Sequence, residues 1–563
     1  MRTERYARFM KTVIIGGVAG GASAAARLRR LDESAEIVML ERGGYISFAN
    51  CGLPYYIGGA IKEKEKLTLQ TPESFKARFN VDVRVLNEAV KINPDTKTVT
   101  VKNLNTGEMY DESYDALILS PGAAPIKPNI EGADGSNVFT LRNIPDTLAI
   151  KAYIDEKHPK TAVVVGGGYI GVETAENLKE AGLDVTIAEL ADHLIAPLDA
   201  DMAADVHRYI KSKGIKLMLN NGIKAIKGNT AVLNSGEIPA DMVLLSVGVR
   251  PETQLAKDCG IATNSRGCII TDTHMRTGIE GVYAVGDAVE VRDFVSGAPS
   301  FIPLAGPANK QGRIAADNIT GIASEYTGTQ GSAVLKLFDM TVATTGLNER
   351  TAAAAGIDYD KTFTYSASHA SYYPGAMNMS VKALWDKKTL KILGAQIVGF
   401  DGVDKRLDVI ASAIRFGAKI TDLTELELCY APPFGSAKDP VNMLGFVAEN
   451  IVTGKVKQFF PEEVASLPRD GSVTLLDVRT DAERARGSID GFMHIPLDSL
   501  RGRISEIPKG KPVYVHCHSG LRSYIACRIL AGMGYDCHNL AGGWRLYELV
   551  VNERAVPEYR CTE

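Results

Sequence analysis

The sequence predicts an α/β protein with two nested strand–turn–helix dinucleotide units, then an α+β domain, then a small separate α/β domain. Three observations predict this. The β-branched run Lys11-Thr12-Val13-Ile14-Ile15 enters a glycine turn and then a helix-forming stretch. The same order recurs at Thr161-Ala162-Val163-Val164-Val165, before the first unit has closed. A third strand–loop–helix series near the C-terminus carries a cysteine on its loop.

A chain of 563 residues allows about three to five domains of about 100–200 residues each. The 45% apolar and 23% charged content is that of an ordinary globular chain. A net charge of −4 argues against broad nucleic-acid or membrane-surface binding, and no apolar run approaches the length of a membrane span. The eight cysteines form no CxxC pair, so no metal site is expected. Their thin spread fits a reducing, cytoplasmic setting. Met1 to Met10 is polar, carries three arginines and lacks the apolar stretch of a signal peptide; it reads as an extension before the first strand, or as an alternative start.

In the first unit, Gly16-Gly17-Val18-Ala19-Gly20-Gly21 follows the strand and Ala22 onward reads as helix. Free N–H groups at a helix start favour a pyrophosphate. Glu36 to Leu40 reads as the next strand, and Glu41 closes it where an acid bonds a ribose hydroxyl. Arg27 and Arg30, three apart, share a helix face and are candidates for substrate phosphates.

Ser47-Phe48-Ala49-Asn50-Cys51-Gly52-Leu53-Pro54-Tyr55 comes next. It sets one cysteine just after the dinucleotide unit, with no second cysteine nearby. Read by itself, Cys51 is a small buried hydrophobe; beside a flavin it is a redox thiol.

The second unit has a full GxGxxG, Gly166-Gly167-Gly168-Tyr169-Ile170-Gly171, with helix expected from Val172. Glu189 ends the following strand and repels a 2′-phosphate, which favours NADH and leaves NADPH open because of His193. The chain then reaches Gly281-Val282-Tyr283-Ala284-Val285-Gly286-Asp287, where Asp287 is placed to bond a ribityl hydroxyl.

Gly16 to Gly21, Gly166 to Gly171 and Gly286-Asp287 resemble the flavoprotein disulfide reductases with two nested Rossmann-like dinucleotide-binding domains. The likeness covers about the first 450 residues. It implies FAD at the first turn, with Gly16, Gly17, Val18, Ala19, Gly20, Glu41, Arg42, Asn50, Gly286, Asp287, Pro303, Leu304 and Ala305 around it. It implies a nicotinamide nucleotide at Gly166, Gly168, Tyr169, Ile170, Gly171 and Glu189. The lone Cys51 and the Ser47-to-Tyr55 stretch resemble the single-cysteine branch, specifically the coenzyme A disulfide and persulfide reductases. That likeness implies coenzyme A contacts at Ser23, Arg27, Arg30, Ser47 and Asn309, and at Lys76 or Arg78. It also implies an α+β dimerisation domain and a homodimer whose active sites are completed by the partner chain. Tyr372 and Tyr430 match the two crossing tyrosines, with Tyr373 the competitor for the first, and Lys438 would meet a phosphate.

The last 100 or so residues resemble a single rhodanese domain. Pro512 to His516 reads as a strand leading into Cys517-His518-Ser519-Gly520-Leu521-Arg522-Ser523. Converging N–H groups, the helix dipole and Arg522 stabilise a Cys517 thiolate, and the resemblance assigns it the persulfide. Cys527 and Cys537 read as packing residues, and Val456 to Pro468 as a link. The expected layout is 1–119 and 251–325 for FAD, 120–250 for NAD(P)H, 326–455 for dimerisation and 456–563 for rhodanese. The expected activity is FAD-dependent, NAD(P)H-driven reduction of coenzyme A persulfide, disulfide or polysulfide through Cys51, with sulfane sulfur handled at Cys517. The rivals are an NADH oxidase or peroxidase using a cysteine-sulfenic acid, and a redox sensor whose tail binds a partner.

Overall fold

The structure, a computed structural model, describes residues 10–554. The extension before Met10 and Cys561 lie outside the described residues. Two compact units form. One holds the residues up to Leu190 together with Ile215–Gly331, and the other holds Ala191–Gly214 together with the chain from Ser332 onward.

The first unit contains two parallel five-stranded sheets. In one, Lys11–Ile15 is central, flanked by Glu36–Glu41 and Ala116–Leu119, with Asp82–Val85 and Val282–Ala284 outermost. Val282–Ala284 returns to this sheet after the second has formed, so the units are nested as expected. In the other, Thr161–Val165 lies between Asp184–Ala188 and Met242–Leu245. The central strands are buried on both faces, with Val13, Ile14, Val163 and Val164 at 0% exposure, which is why they read as unbroken apolar runs.

Both fingerprint helices start three residues earlier than the sequence suggests, at Ala19 and Tyr169. The glycines explain it. Gly16 and Gly166 turn the chain at φ +100° and +104°, conformations that glycine adopts without steric cost. A Cβ on Gly21 or Gly171 would stand 1.9 Å from the oxygen of Gly16 or Gly166. These later glycines are therefore helical, and they let the first turn press onto its strand.

In the second unit, an antiparallel sheet runs in the order Ala333–Leu337, Met340–Gly346, Ile392–Gly399, Asn378–Asp386, Tyr359–Ala367. Helices Val403–Arg415 and Pro440–Val452 pack with it. The buried Lys382 ammonium lies 2.8 Å from both Asp199 and Asp201 and is also paired with Glu349. These three carboxylates form the cluster with metal-like spacing among the described residues, and a lysine fills it.

The C-terminal sheet is parallel, in the order Lys457–Phe459, Cys537–Leu540, Val513–His516, Thr474–Asp477, Met493–His494. The expected link at Val456 to Pro468 is thus corrected. Lys457–Phe459 is an edge strand paired with Cys537–Leu540, followed by the short 3₁₀ turn Pro461–Ser466. Pro461 and Pro468 both fall after the strand, and its Lys457 suits an edge. This domain also bonds to the antiparallel sheet. Lys361 Nζ reaches Glu462 at 3.0 Å, Thr362 donates to Gln458 at 2.8 Å, and the Arg545 guanidinium covers the Tyr365 ring at 4.3 Å.

Candidate active sites

At the first glycine turn, Glu41 bends back. One carboxylate oxygen accepts from Gly17 N–H at 2.9 Å and the other from Gly43 N–H at 2.7 Å. Val18 immediately precedes the helix that starts at Ala19. Gly286 lies at φ +80°, with its N–H bonded to Gln311 at 2.7 Å. Burial raises the Asp287 carboxyl above its usual range, opposed by the nearby Arg142. Arg42 is committed to Glu252 at 2.6 and 2.7 Å. Leu304 starts the helix Ala305–Ile319, directly after Pro303.

Cys51 sits in the 3₁₀ turn Asn50–Gly52, ahead of helix Leu53–Ile57. It is open to solvent, as is Asn50, yet the surrounding protein is dense enough to matter. Desolvation raises the thiol's pKa, and the charges of Glu173 and Asp287 raise it further. Glu173 is itself pushed up to about 7 by burial, against the opposing hydrogen bond from the Tyr55 hydroxyl at 3.1 Å. Glu173 projects from helix Tyr169–Glu180, the one that opens at the second fingerprint.

A cavity of about 410 Å³ is lined by Ser23, Arg27, Arg30, Ser47, Arg78 and Asn309, and by Gln70, Phe75, Phe79 and Arg313. Of the expected coenzyme A residues it gathers Ser23, Arg27, Arg30, Ser47, Arg78 and Asn309, with two corrections: neither Lys76 nor Lys438 lines it. On helix Pro72–Phe79, Arg78 sits three residues after Phe75 and next to Phe79, both of which line the cavity, and Lys76 is not among the lining residues. The cavity lining has four arginines and no carboxylate. Ser23 donates to Asn309 at 2.8 Å, while Arg27 pairs with Asp317 at 2.7 Å, which leaves Arg30, Arg78 and Arg313 as its main anion donors. The Phe75 and Phe79 rings lie 4.9 Å apart. Ser47 is held at φ +42°, a strained conformation for a serine.

At the second turn, Glu189 accepts from Gly167 N–H at 2.5 Å, repeating the Glu41–Gly17 arrangement. A Cβ at Gly168 would meet nothing within 4 Å, and Ile170 is exposed at the helix start.

In the second unit, the two polar-aromatic loops converge. The hydroxyls of Tyr372 and Tyr430 are 3.1 Å apart, with the rings 75% and 49% exposed. Tyr373 instead packs edge-on against His369 at 5.8 Å. Lys438 is exposed just before the helix cap Asp439.

Cys517 follows strand Val513–His516 and is 0% exposed. Its Sγ accepts from Gly520 N–H at 3.1 Å and from the Ser523 hydroxyl at 3.2 Å. Gly520, at φ +97°, turns the loop into helix Leu521–Ala531. Trp544 and Arg545 N–H groups donate to the Cys517 and His518 carbonyls at 2.8 and 2.9 Å. A Cβ on Gly543 would stand 2.7 Å from the Cys517 carbonyl oxygen, so glycine is required behind the loop. Arg522 is held bidentately by Glu483 at 2.7 and 2.6 Å.

Two nested dinucleotide units, one solvent-open cysteine between them and a second cysteine on a cradled loop find a counterpart among known proteins. Residues 10–312 match the pyridine nucleotide-disulphide oxidoreductase family, and residues 332–440 match its dimerisation domain. The chain belongs to the pyridine nucleotide-disulphide oxidoreductase family. Residues 460–549 match the rhodanese-like domain. The reduced CoADR-RHD of Bacillus anthracis is 51% identical with a TM-score of 0.95, covering 97% of this chain and 99% of that one. An NAD-dependent persulfide reductase from A. fulgidus is 36% identical with a TM-score of 0.90, covering 96% and 100%. The coenzyme A disulfide reductase of Staphylococcus epidermidis is 36% identical over 441 residues, 78% of this chain and all of that protein.

Members of this oxidoreductase family are enzymes that use FAD and NAD(P)H, and the residues here fit both groups. At the first turn, Arg142 Nη1 is buried with no hydrogen-bond partner, with Asp287 and Glu41 bearing on the same guanidinium. An unsatisfied buried donor is costly, and a ligand with acceptor oxygens would satisfy it. Sequence reading missed Arg142, Glu173, Tyr55, Arg313, Gln70, Phe75 and Phe79. No helix among the described residues is long and apolar enough to cross a membrane.

Proposed function

We propose that the chain reduces coenzyme A persulfide or disulfide at Cys51, and that Cys517 carries sulfane sulfur. The observation that supports this most is the four-arginine cavity with Phe79 on its wall. Guanidiniums suit phosphates, the half-buried Phe79 ring suits an adenine face, and Ser47 on the cavity wall is four residues from Cys51. A peroxide substrate has no use for such a cavity. In this reading Ser23, Arg30, Ser47, Arg78, Asn309 and Arg313 hold the nucleotide end, and Lys438, in the loop of Tyr430, is offered to a phosphate of the partner's substrate.

The thiolate of Cys51 attacks the inner sulfur of a coenzyme A persulfide. A Cys51–coenzyme A disulfide forms and hydrosulfide leaves. FAD, when bound, supplies the electron pair received from NADH or NADPH that cleaves this disulfide. Cys51 then returns as thiolate and coenzyme A leaves as thiol after taking one proton. The protein groups that bear on Cys51 are acidic, so the chain's own side chains oppose its thiolate. Tyr372 and Tyr430, bonded to each other and exposed, fit proton donors offered across a homodimer to the partner's sulfur site. Glu41 and Asp287 fit the ribose and ribityl hydroxyls of FAD, and Glu189 fits the nucleotide ribose. The layout 1–119 with 251–325, 120–250, 326–455 and 456–563, and a cytoplasmic setting, belong to this reading.

The test is anaerobic NADH oxidation with coenzyme A persulfide, coenzyme A disulfide and peroxide in parallel. The reading expects the sulfur substrates to outrun peroxide by a wide margin. Peroxide in the lead overturns it.

A further inference from the structure

The loop of Cys517 has an unusual charge balance. Three guanidiniums, Arg479, Arg522 and Arg545, bear on the loop residue His518, and each is engaged. Arg479 binds Asp477 at 2.8 Å and lies 4.5 Å from the Trp544 ring. Arg545 covers Tyr365. Arg522, the one cation within the loop motif itself, gives its two terminal nitrogens to Glu483 and also bears on the Cys517 sulfur. That carboxylate is fixed in turn, because it also accepts from Thr480 N–H at 2.9 Å and the Thr480 hydroxyl at 3.0 Å. Arg522 holds its pKa down at about 2, so Glu483 is charged at any working pH. Desolvation lowers the His518 pKa below the ordinary imidazole value, and the ring is neutral near pH 7. Leu521, next to Arg522, is 58% exposed and apolar.

We propose that Glu483 selects the sulfur donor at Cys517. By neutralising Arg522, the cation that also bears on the Cys517 sulfur, it weakens the hold of the loop on a small dianion such as thiosulfate and favours thiol-borne persulfides as the donors. This deepens the reading of Cys517 as the sulfane-sulfur carrier and rests on it. With a persulfide R–S–SH, the Cys517 thiolate attacks the outer sulfur and the S–S bond breaks. R–S⁻ leaves with the electron pair and takes the proton, giving R–SH and Cys517–S–S⁻. With thiosulfate, the leaving group is sulfite, a dianion departing from a site whose cation is already neutralised. Glu483 acts through Arg522 and is a positioning residue.

The experiment follows persulfide loading on the Cys517 peptide by mass spectrometry, with full-length protein and no NADH. Coenzyme A persulfide and thiosulfate are compared as donors. Glu483→Gln, which keeps an acceptor for Thr480, raises the thiosulfate-to-persulfide rate ratio about tenfold, the scale of one new charge-assisted hydrogen bond between Arg522 and the dianion. The increase shrinks with added salt. Glu483→Asp, which keeps the charge, stays near the wild-type ratio. General damage to the loop slows both donors and leaves the ratio where it was. His518→Arg, which adds a cation without touching Glu483, raises the same ratio and serves if Glu483→Gln fails to fold. An unchanged ratio in Glu483→Gln, or in His518→Arg where the former does not fold, overturns the proposal. So does wild-type protein that loads as fast from thiosulfate as from persulfide. Loading from neither donor removes Cys517 from its role altogether, an outcome distinct from a failure at Glu483.

Discussion

Cys51 and Cys517 are two sulfur sites built on opposite principles. Cys51 is open to solvent and faces carboxylates, and the chain pushes its thiol up. Cys517 is fully buried, yet its sulfur receives an N–H and a hydroxyl, and it sits at a helix start beside Arg522. The protein itself supplies the stabilisation of the second sulfur. For the first, burial and the neighbouring carboxylates oppose the thiolate. One thiol is placed among carboxylates, and the other in a fixed cradle of hydrogen-bond donors.

The largest test of this contrast is a pair of single substitutions. Cys51→Ser lowers NADH-dependent persulfide reduction by at least about 10³-fold, the scale for loss of a nucleophile, and leaves loading of the Cys517 peptide intact. Cys517→Ser does the reverse when preformed coenzyme A persulfide is supplied. If either substitution abolishes both activities, the two sites are not separable and the contrast fails.

The tyrosine pair comes next. Tyr430→Phe or Tyr372→Phe lowers kcat for coenzyme A substrates by roughly 10²-fold, in the usual range for a positioned acid, with sulfane loading at Cys517 unchanged. Full activity in the double variant would remove the pair from the mechanism.

Smaller effects are expected in the arginine cavity. Arg78→Ala and Arg313→Ala each raise KM for coenzyme A disulfide about tenfold, the scale of one charge-assisted hydrogen bond removed, and leave KM for NADH alone. Lys76→Ala changes neither. Equal effects at Lys76 and Arg78 would undo the assignment of Arg78 to the cavity.

The smallest effect concerns Glu173. It is neutral below pH 7 and charged above, with its carboxyl pushed up to about 7, and only the charged form opposes a Cys51 thiolate. Glu173→Gln therefore moves the pH midpoint of Cys51 alkylation down by about half a unit, with the increase in rate confined to the side above pH 7. An upward shift would contradict the sign.

The legible parts of the molecule were those whose chemistry is local in sequence. Gly16 and Gly166 had to be glycines for backbone reasons, and both turns, both acids after the second strands and the Cys517 loop could be read directly. The helix starts were missed by three residues because Gly21 and Gly171 look like breakers while serving close packing. The link at Val456 to Pro468 was missed because an edge strand and a connector share a composition. The cavity was half legible. Arg27 and Arg30 announce themselves on one helix, but Arg313 lies some 280 residues away, and only the fold brings it beside them. Choosing Arg78 over Lys76 required the fold, which sets Arg78 and not Lys76 on the cavity wall. Glu173 could not be told from a solvated helix glutamate until helix Leu53–Ile57 brought Tyr55 against it.

One measurement bears most directly on Cys51. The oxidised enzyme is exposed to coenzyme A disulfide without NADH, digested without reductant and mapped by mass. The account predicts one coenzyme A joined through sulfur to the peptide that carries Cys51, released as thiol on adding NADH. A Cys51 peptide that carries a sulfenic acid and no coenzyme A, or an adduct confined to another cysteine, would contradict it.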